Sequence, residues 1–240
     1  MKQAVNWRKL ANLILIVIGL GLSSSCAVLE EIATGDGSGH GSSDTRISEG
    51  LREALRVGSE RAARQVGQTD GYRGNERIRI PLPESMQNAA AGLRRVGLGR
   101  QVDELELAMN RAAESAAHEA VNVFAGAIRQ MRPADVQAVF TGGEDAATRY
   151  LRASSGETLK TRYRPIVTEH LERVQGMDLY RDIVTTWNRL PGVQPLTVDL
   201  DDYVTDRALD GLFQVLADEE RRIREDPVAR TTQLLREVFG

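Results

Sequence analysis

From Arg46 onward, apolar side chains return every three or four positions, the spacing that places them on one face of an α-helix. Ile47, Leu51, Ala54, Leu55, Ala62 and Val66 predict a first amphipathic helix that ends at Gly67. The period is then lost. Residues 68–83 carry Asp70-Gly71 and Gly74-Asn75, followed by RIRIPLP from Arg77 to Pro83, where alternation and two prolines demand an extended path. It is the one stretch suited to a short edge strand. Helical spacing resumes from Glu84 to Val96 and is interrupted by Gly97 and Gly99.

Val102 to Met131 then reads as one long central helix. Leu105, Met109, Ala112, Ala113, Ala116, Ala120, Val123, Phe124, Ala127 and Met131 share an apolar arc, and Glu104, Arg111, Ser115, His118, Asn122 and Arg129 lie opposite. Arg132-Pro133 ends it. Short helices are predicted for Ala134–Phe140 and Asp145–Arg152, a break at Gly156, and further helices for Thr158–Val174, Asp178–Leu190, Asp202–Glu225 and Val228–Phe239. Asp226-Pro227 supplies a cap and a first-turn proline for the last of these. No internal repeat and no dividing linker interrupts residues 46–240. The expected fold class is all-α, a single compact multi-helix domain.

Ahead of that domain the pattern changes character. Lys2, Arg8 and Lys9 precede an apolar run from Leu10 to Leu22 that is short for a membrane span, and Ser23-Ser24-Ser25 lead into Cys26, the only cysteine. This is the layout of a bacterial lipoprotein signal, although Ser23 occupies the position where a lipobox usually has leucine. Residues 1–25 are expected to be a signal peptide, with Cys26 as the first mature residue, carrying lipid of the palmitate type. Ala27, rather than Asp, after the cysteine points to the outer membrane, with the body facing the periplasm. Thr34 to Asp44 reads TGDGSGHGSSD, so residues 26–45 are expected to form the lipidated cysteine and a flexible tether with a reach of about 20 Å.

Composition fits this plan. Aromatics are only 5%, and helix-forming alanine, leucine and arginine fill much of the chain. Removing residues 1–25 deletes three basic and no acidic residues, leaving a net charge of −6. That balance argues against a nucleic-acid partner. With Cys26 acylated, no thiol remains for a disulfide or a thiolate metal site.

Several blocks together resemble the bacterial lipoprotein family of domain of unknown function 4197: Asp70-Gly71-Tyr72 with Asn75, RIRIPLP at 77–83, DELELAMNRAAE at 103–114, TGGEDAATRY at 141–150, YVTDRALDGLF at 203–213, IREDPVAR at 223–230 and LLREVFG at 234–240. Tyr72 stands where the resemblance leads one to expect Phe. The resemblance implies a helical, exported lipoprotein and lends no activity, cofactor or catalytic residue.

The side chains themselves offer little recognisable chemistry. His118-Glu119 begins like a zincin motif, but Asn122 replaces the second histidine, and His170 beside Glu169 forms no ligand pair. Asp199, Asp201, Asp202 and Asp206 lack the spacing, turn glycine and distal Glu of a calcium loop and are explained as helix-start acids. Gly97-Leu98-Gly99 lacks the third glycine of a dinucleotide fingerprint. No metal or cofactor is called for.

One anomaly stands out. Glu106 and Asn110 fall roughly 20° and 60° from the angle of Ala113 and Met131 on the apolar arc of the central helix, with Asp103 and Glu114 at the edge of the same face. A buried carboxylate needs a partner, and Arg73, Arg77 or Arg79 of the irregular segment is the natural one. Asp103, Glu106, Asn110, Glu114, Arg73, Arg77 and Arg79 therefore form either an internal polar pair that pins the segment to the helix or a polar pocket. The functional expectation is a non-enzymatic envelope lipoprotein that binds or scaffolds another envelope component, tied to the membrane at Cys26. The alternatives are a carrier of a small apolar or lipid-like ligand, and an enzyme with a carboxylate site near Glu106.

Overall fold

A computed structural model describes residues 38–233, 236 and 237, with side chains from Thr45 onward. The signal, Cys26 and most of the tether lie outside the described residues. Residues 42–240 form one compact unit. Among the described residues every regular element is a helix, with no strand: α1 (Ser38–Gly67), α2 (Glu84–Arg95), α3 (Gly99–Ala116), α4 (Glu119–Arg129), α5 (Pro133–Phe140), α6 (Ala146–Arg173), α7 (Gly176–Asn188), α8 (Leu200–Glu225) and a 3-10 turn at Pro227–Ala229. The fold is all-α. No helix among the described residues is long and apolar enough to cross a membrane.

The hub is α6, which lies against α3, α4, α5, α7 and α8. The sequence predicts a break at Gly156, yet α6 runs through both Gly156 and Pro165. Its buried side chains explain why: Leu151, Ser155, Leu159, Tyr163, Val167 and Leu171 recur every fourth residue. An interior glycine costs about 1 kcal/mol and a proline about 3 kcal/mol in helix propensity. Burying each large apolar side chain returns roughly 1.5–3 kcal/mol, so the packed stripe outweighs both.

The long central helix, by contrast, is two. Between α3 and α4, Ala120 and Val121 donate to the carbonyls three residues back, Ala117 and His118, which tightens the turn there. Tyr163, wholly buried on α6, directs its hydroxyl at the Ala117 carbonyl (3.4 Å). A side-chain donor at the ladder is one of the identifiable causes of a helix break. At the chain start, α1 already includes Ser38–Asp44, assigned to the tether from its Gly/Ser content. At the other end, Asp226 does cap as expected, accepting from the Val228 N–H (2.9 Å), but the cap opens a 3-10 turn of three residues and not a helix from Val228.

The interior is tightly filled. Phe124 of α4 meets Phe213 of α8 edge to face at 5.8 Å, and the Arg152 guanidinium covers Phe213 at 4.4 Å. The apolar void between Leu51, Leu55 and Gly58 of α1, Leu151 of α6 and Leu216 and Ile223 of α8 holds about 30 Å³, room for little more than one water.

Candidate functional site: a polar stripe on α3

Glu106, Asn110 and Glu114 stand one helical turn apart on α3 and face the irregular segment 68–83. Each takes hold of that segment's backbone. The Asn110 Oδ1 accepts from the Ile80 N–H (2.9 Å), while its Nδ2 donates to the Ile80 carbonyl and to the Glu106 carbonyl (both 2.8 Å). One side-chain amide thus satisfies both backbone groups of Ile80, as a neighbouring strand would. It holds residues 79–83, which belong to no turn, helix or sheet; the start of the RIRIPLP run is not extended as expected but turned, the Asn75 carbonyl accepting from the Ile78 and Arg79 N–H groups (3.1 and 2.8 Å).

Four residues along, the buried Glu114 accepts from the Tyr72 and Arg73 N–H groups (3.3 and 3.5 Å) through Oε1 and from Arg111 (2.6 Å) through Oε2. Arg111 also donates to Asp70 (2.8 Å), whose φ of 63° turns the chain. The hydrogen bond from Arg111 to Glu114 is the largest cause that raises the guanidinium pKa above its usual range. Tyr72 seals this end: its hydroxyl donates to the Ala208 carbonyl (2.6 Å), and its ring lies so close to Gly211 that a Cβ there would stand 2.7 Å away. Burial pushes its phenol well above the usual tyrosine range. The hydroxyl that distinguishes Tyr72 from the expected Phe is therefore used.

At the shallow end, Glu106 keeps 18% of its side chain exposed; it accepts from the Leu82 N–H (3.4 Å) and pairs with Arg79 (3.2 Å), itself 48% exposed. The anticipated arginine partner exists and is Arg79. Arg77 instead reaches α8 and pairs with Asp218 (2.7 Å), and the Arg73 guanidinium has no partner among the described residues. Asp103 is largely exposed and pairs with Arg94 (2.6 Å). Arg73, Arg79, Asp103 and Glu106 rim a cleft of about 270 Å³ floored by Leu107 and Asn110. Glu106 is thus a rim residue, not a buried one, and the deeply buried members are Asn110 and Glu114.

A second cleft of about 490 Å³ shares Leu107 with the first and lies on the next flank of α3, where His170 lies near Arg111 and Gln175. The His170 Nδ1 is 3.0 Å from an Arg173 nitrogen and 2.9 Å from the Ser115 Oγ. A guanidinium only donates, so Nδ1 accepts and the proton of the neutral ring sits on Nε2. Burial first, then the Arg173 charge, holds this imidazole below its ordinary value. His118 is exposed on the polar side of the break. Among the described residues no three His, Cys, Asp or Glu side chains gather as a metal-holding group.

Asp199 caps α8 by accepting from the Asp202 N–H (3.0 Å), and Arg164 pairs with both Asp199 and Asp202 (3.0 and 3.2 Å). Sequence reasoning missed Glu220. This buried residue of α8 accepts from the Ala147 and Thr148 N–H groups (3.0 and 2.8 Å) at the start of α6 and pairs with Arg224 (2.9 Å). Its signal was present: Leu209, Phe213, Leu216, Glu220 and Ile223 follow the three-four spacing of a buried face.

An all-α body whose buried acids hold backbone matches one family in sequence. The model described as "Protein of unknown function (DUF4197)" covers residues 41–240, and the chain belongs to that family. No curated protein and no solved structure matches it.

Proposed function

We propose that the protein is an envelope lipoprotein that works by binding or scaffolding through its surface, anchored at Cys26 in the outer membrane and facing the periplasm. The observation that carries this reading is the use made of the α3 stripe. Asn110 and Glu114, both buried, spend their bonding capacity on the backbone of segment 68–83 and on Arg111. A catalytic carboxylate needs a reacting group within hydrogen-bond reach, and Glu114 offers its oxygens to amides and a guanidinium instead. The apolar void between α1, α6 and α8 is far smaller than the several hundred Å³ a lipid-like ligand needs, and the 490 Å³ cleft beside His170 is an open one rimmed by Glu104, Arg111, Asp178 and Asp182, which favours surface binding over carriage of such a ligand.

The anchor is tested with metabolic acyl labelling of cells that express the full chain or its Cys26→Ala variant. Label on the full chain and none on the variant is the expected result; label retained by the variant overturns the anchor. Detergent extraction followed by mass spectrometry of the retained proteins then identifies the partner.

A further inference from the structure

The C-terminal ends of α2 and α7 lie at one end of the molecule. The α2–α3 turn reverses the chain, with the Leu98 N–H donating to the Leu93 carbonyl (2.9 Å), so α2 runs antiparallel to α3. A Cβ on Gly176, the first residue of α7, would lie 3.1 Å from Ala108, and Asp182 further along α7 lines the same cleft as Glu104, so α7 too runs back toward the start of α3. The two helices are therefore roughly parallel, and they meet where a Cβ on Gly92 would stand 3.2 Å from the Trp187 ring. One turn beyond that contact on each helix come Val96, 71% exposed, and Leu190, 47% exposed. Pro191, also exposed, extends the apolar surface.

Charge surrounds this tip asymmetrically. Arg94 is matched by Asp103 (2.6 Å) and Arg100 by Glu104 (3.5 Å), but the exposed Arg95 and Arg189 have no partner among the described residues. Asp182 is the nearest acid further back on α7, about two turns away. A chain with net charge −3 thus carries an apolar tip with an excess of two guanidinium groups.

We infer that this tip, formed by Val96, Leu190 and the flanking Arg95 and Arg189 over the half-buried Trp187, whose Nε1 donates to the Gln194 carbonyl (3.2 Å), docks on an anionic lipid leaflet. Tryptophan and aliphatic side chains partition into the interface between headgroups and acyl chains, and unpaired arginines bind phosphate there. A protein partner offering only apolar surface would leave both guanidinium groups unanswered. The inference deepens the anchored reading above, since a lipid tether would keep the body within reach of such a surface.

Trp187 reports on its own docking. The chain has two tryptophans, Trp7 and Trp187, so the full chain carrying Trp7→Phe has one. That protein is reconstituted into vesicles of phosphatidylcholine alone or mixed with phosphatidylglycerol, each with and without brominated acyl chains. The expected result is a blue-shifted Trp187 emission, quenched by bromine in the anionic vesicles and relieved by raised salt. Val96→Asp with Leu190→Asp, at exposed positions that leave the core intact, abolishes the quenching, and Arg95→Glu with Arg189→Glu abolishes its preference for anionic lipid. Emission indifferent to brominated lipid in both vesicle types overturns the inference. So does equal quenching in both, or a shift that follows protein concentration without lipid and marks a contact between copies. Acyl labelling reads the anchor separately, so each reading fails alone.

Discussion

On α3, Glu114 is buried and gives its oxygens to backbone amides and Arg111; at the start of α8, Asp199 and Asp206 stand in solvent and pair with Arg164 and Lys160. The two regions use the same chemical group at different depths. Water stabilises the α8 carboxylates with or without their partners, so those ion pairs add little. Glu114 has lost its water and depends on the groups that replaced it. Depth, rather than the number of contacts, therefore decides which region the fold cannot lose.

The sharpest contrast comes from truncation. Glu114→Ala leaves the buried Tyr72 N–H without its acceptor and Arg111 with Asp70 alone, and is expected to cost about 3 kcal/mol in urea unfolding. A loss below about 1 kcal/mol would break the comparison. Glu106→Ala, at the wet end of the same stripe, is expected to cost only about 1 kcal/mol, because the Leu82 amide and Arg79 regain water. A double-mutant cycle should find coupling to Arg79 and none to Arg77, whose partner is Asp218.

His170 lies between the two depths and adds a dependence on pH. Its folded pKa is depressed by burial and by Arg173, so the unfolded chain binds the proton more readily. The contribution of the neutral ring is complete above the ordinary value of 6.5 and is lost as pH falls below it toward the folded value. Unfolding measured from pH 8 to 5 should show this decline, and His170→Gln should remove that part of it. Smallest of all, Asp206→Ala breaks an exposed pair with Lys160 and is expected to change stability by less than about 0.5 kcal/mol.

Much of this was legible in the chain. The polar intrusions at Glu106, Asn110 and Glu114 marked where α3 meets segment 68–83, because an apolar face tolerates such residues only with partners. What spacing alone left open was the kind of partner: the bonds run mostly to backbone, and backbone groups are the same at every position of a sequence. The division at Ala117–His118 was hidden for a related reason. Both residues keep helical dihedrals, and the bond from Tyr163 comes from 46 positions away. Gly156 and Pro165 misled in the opposite direction, since local propensity gives way where a long buried stripe such as that of α6 must be kept.

The central claim is that Asn110 holds the irregular chain at Ile80 in place as a neighbouring strand would. Hydrogen exchange at the Ile80 amide tests it most directly, because that N–H donates to the Asn110 Oδ1 and is buried with it. The expected result is protection close to that of the α3 amides in the native chain, falling to the level of an open loop in Asn110→Ala. Loop-like exchange at Ile80 in the unaltered protein, or full protection that survives Asn110→Ala, would contradict the account.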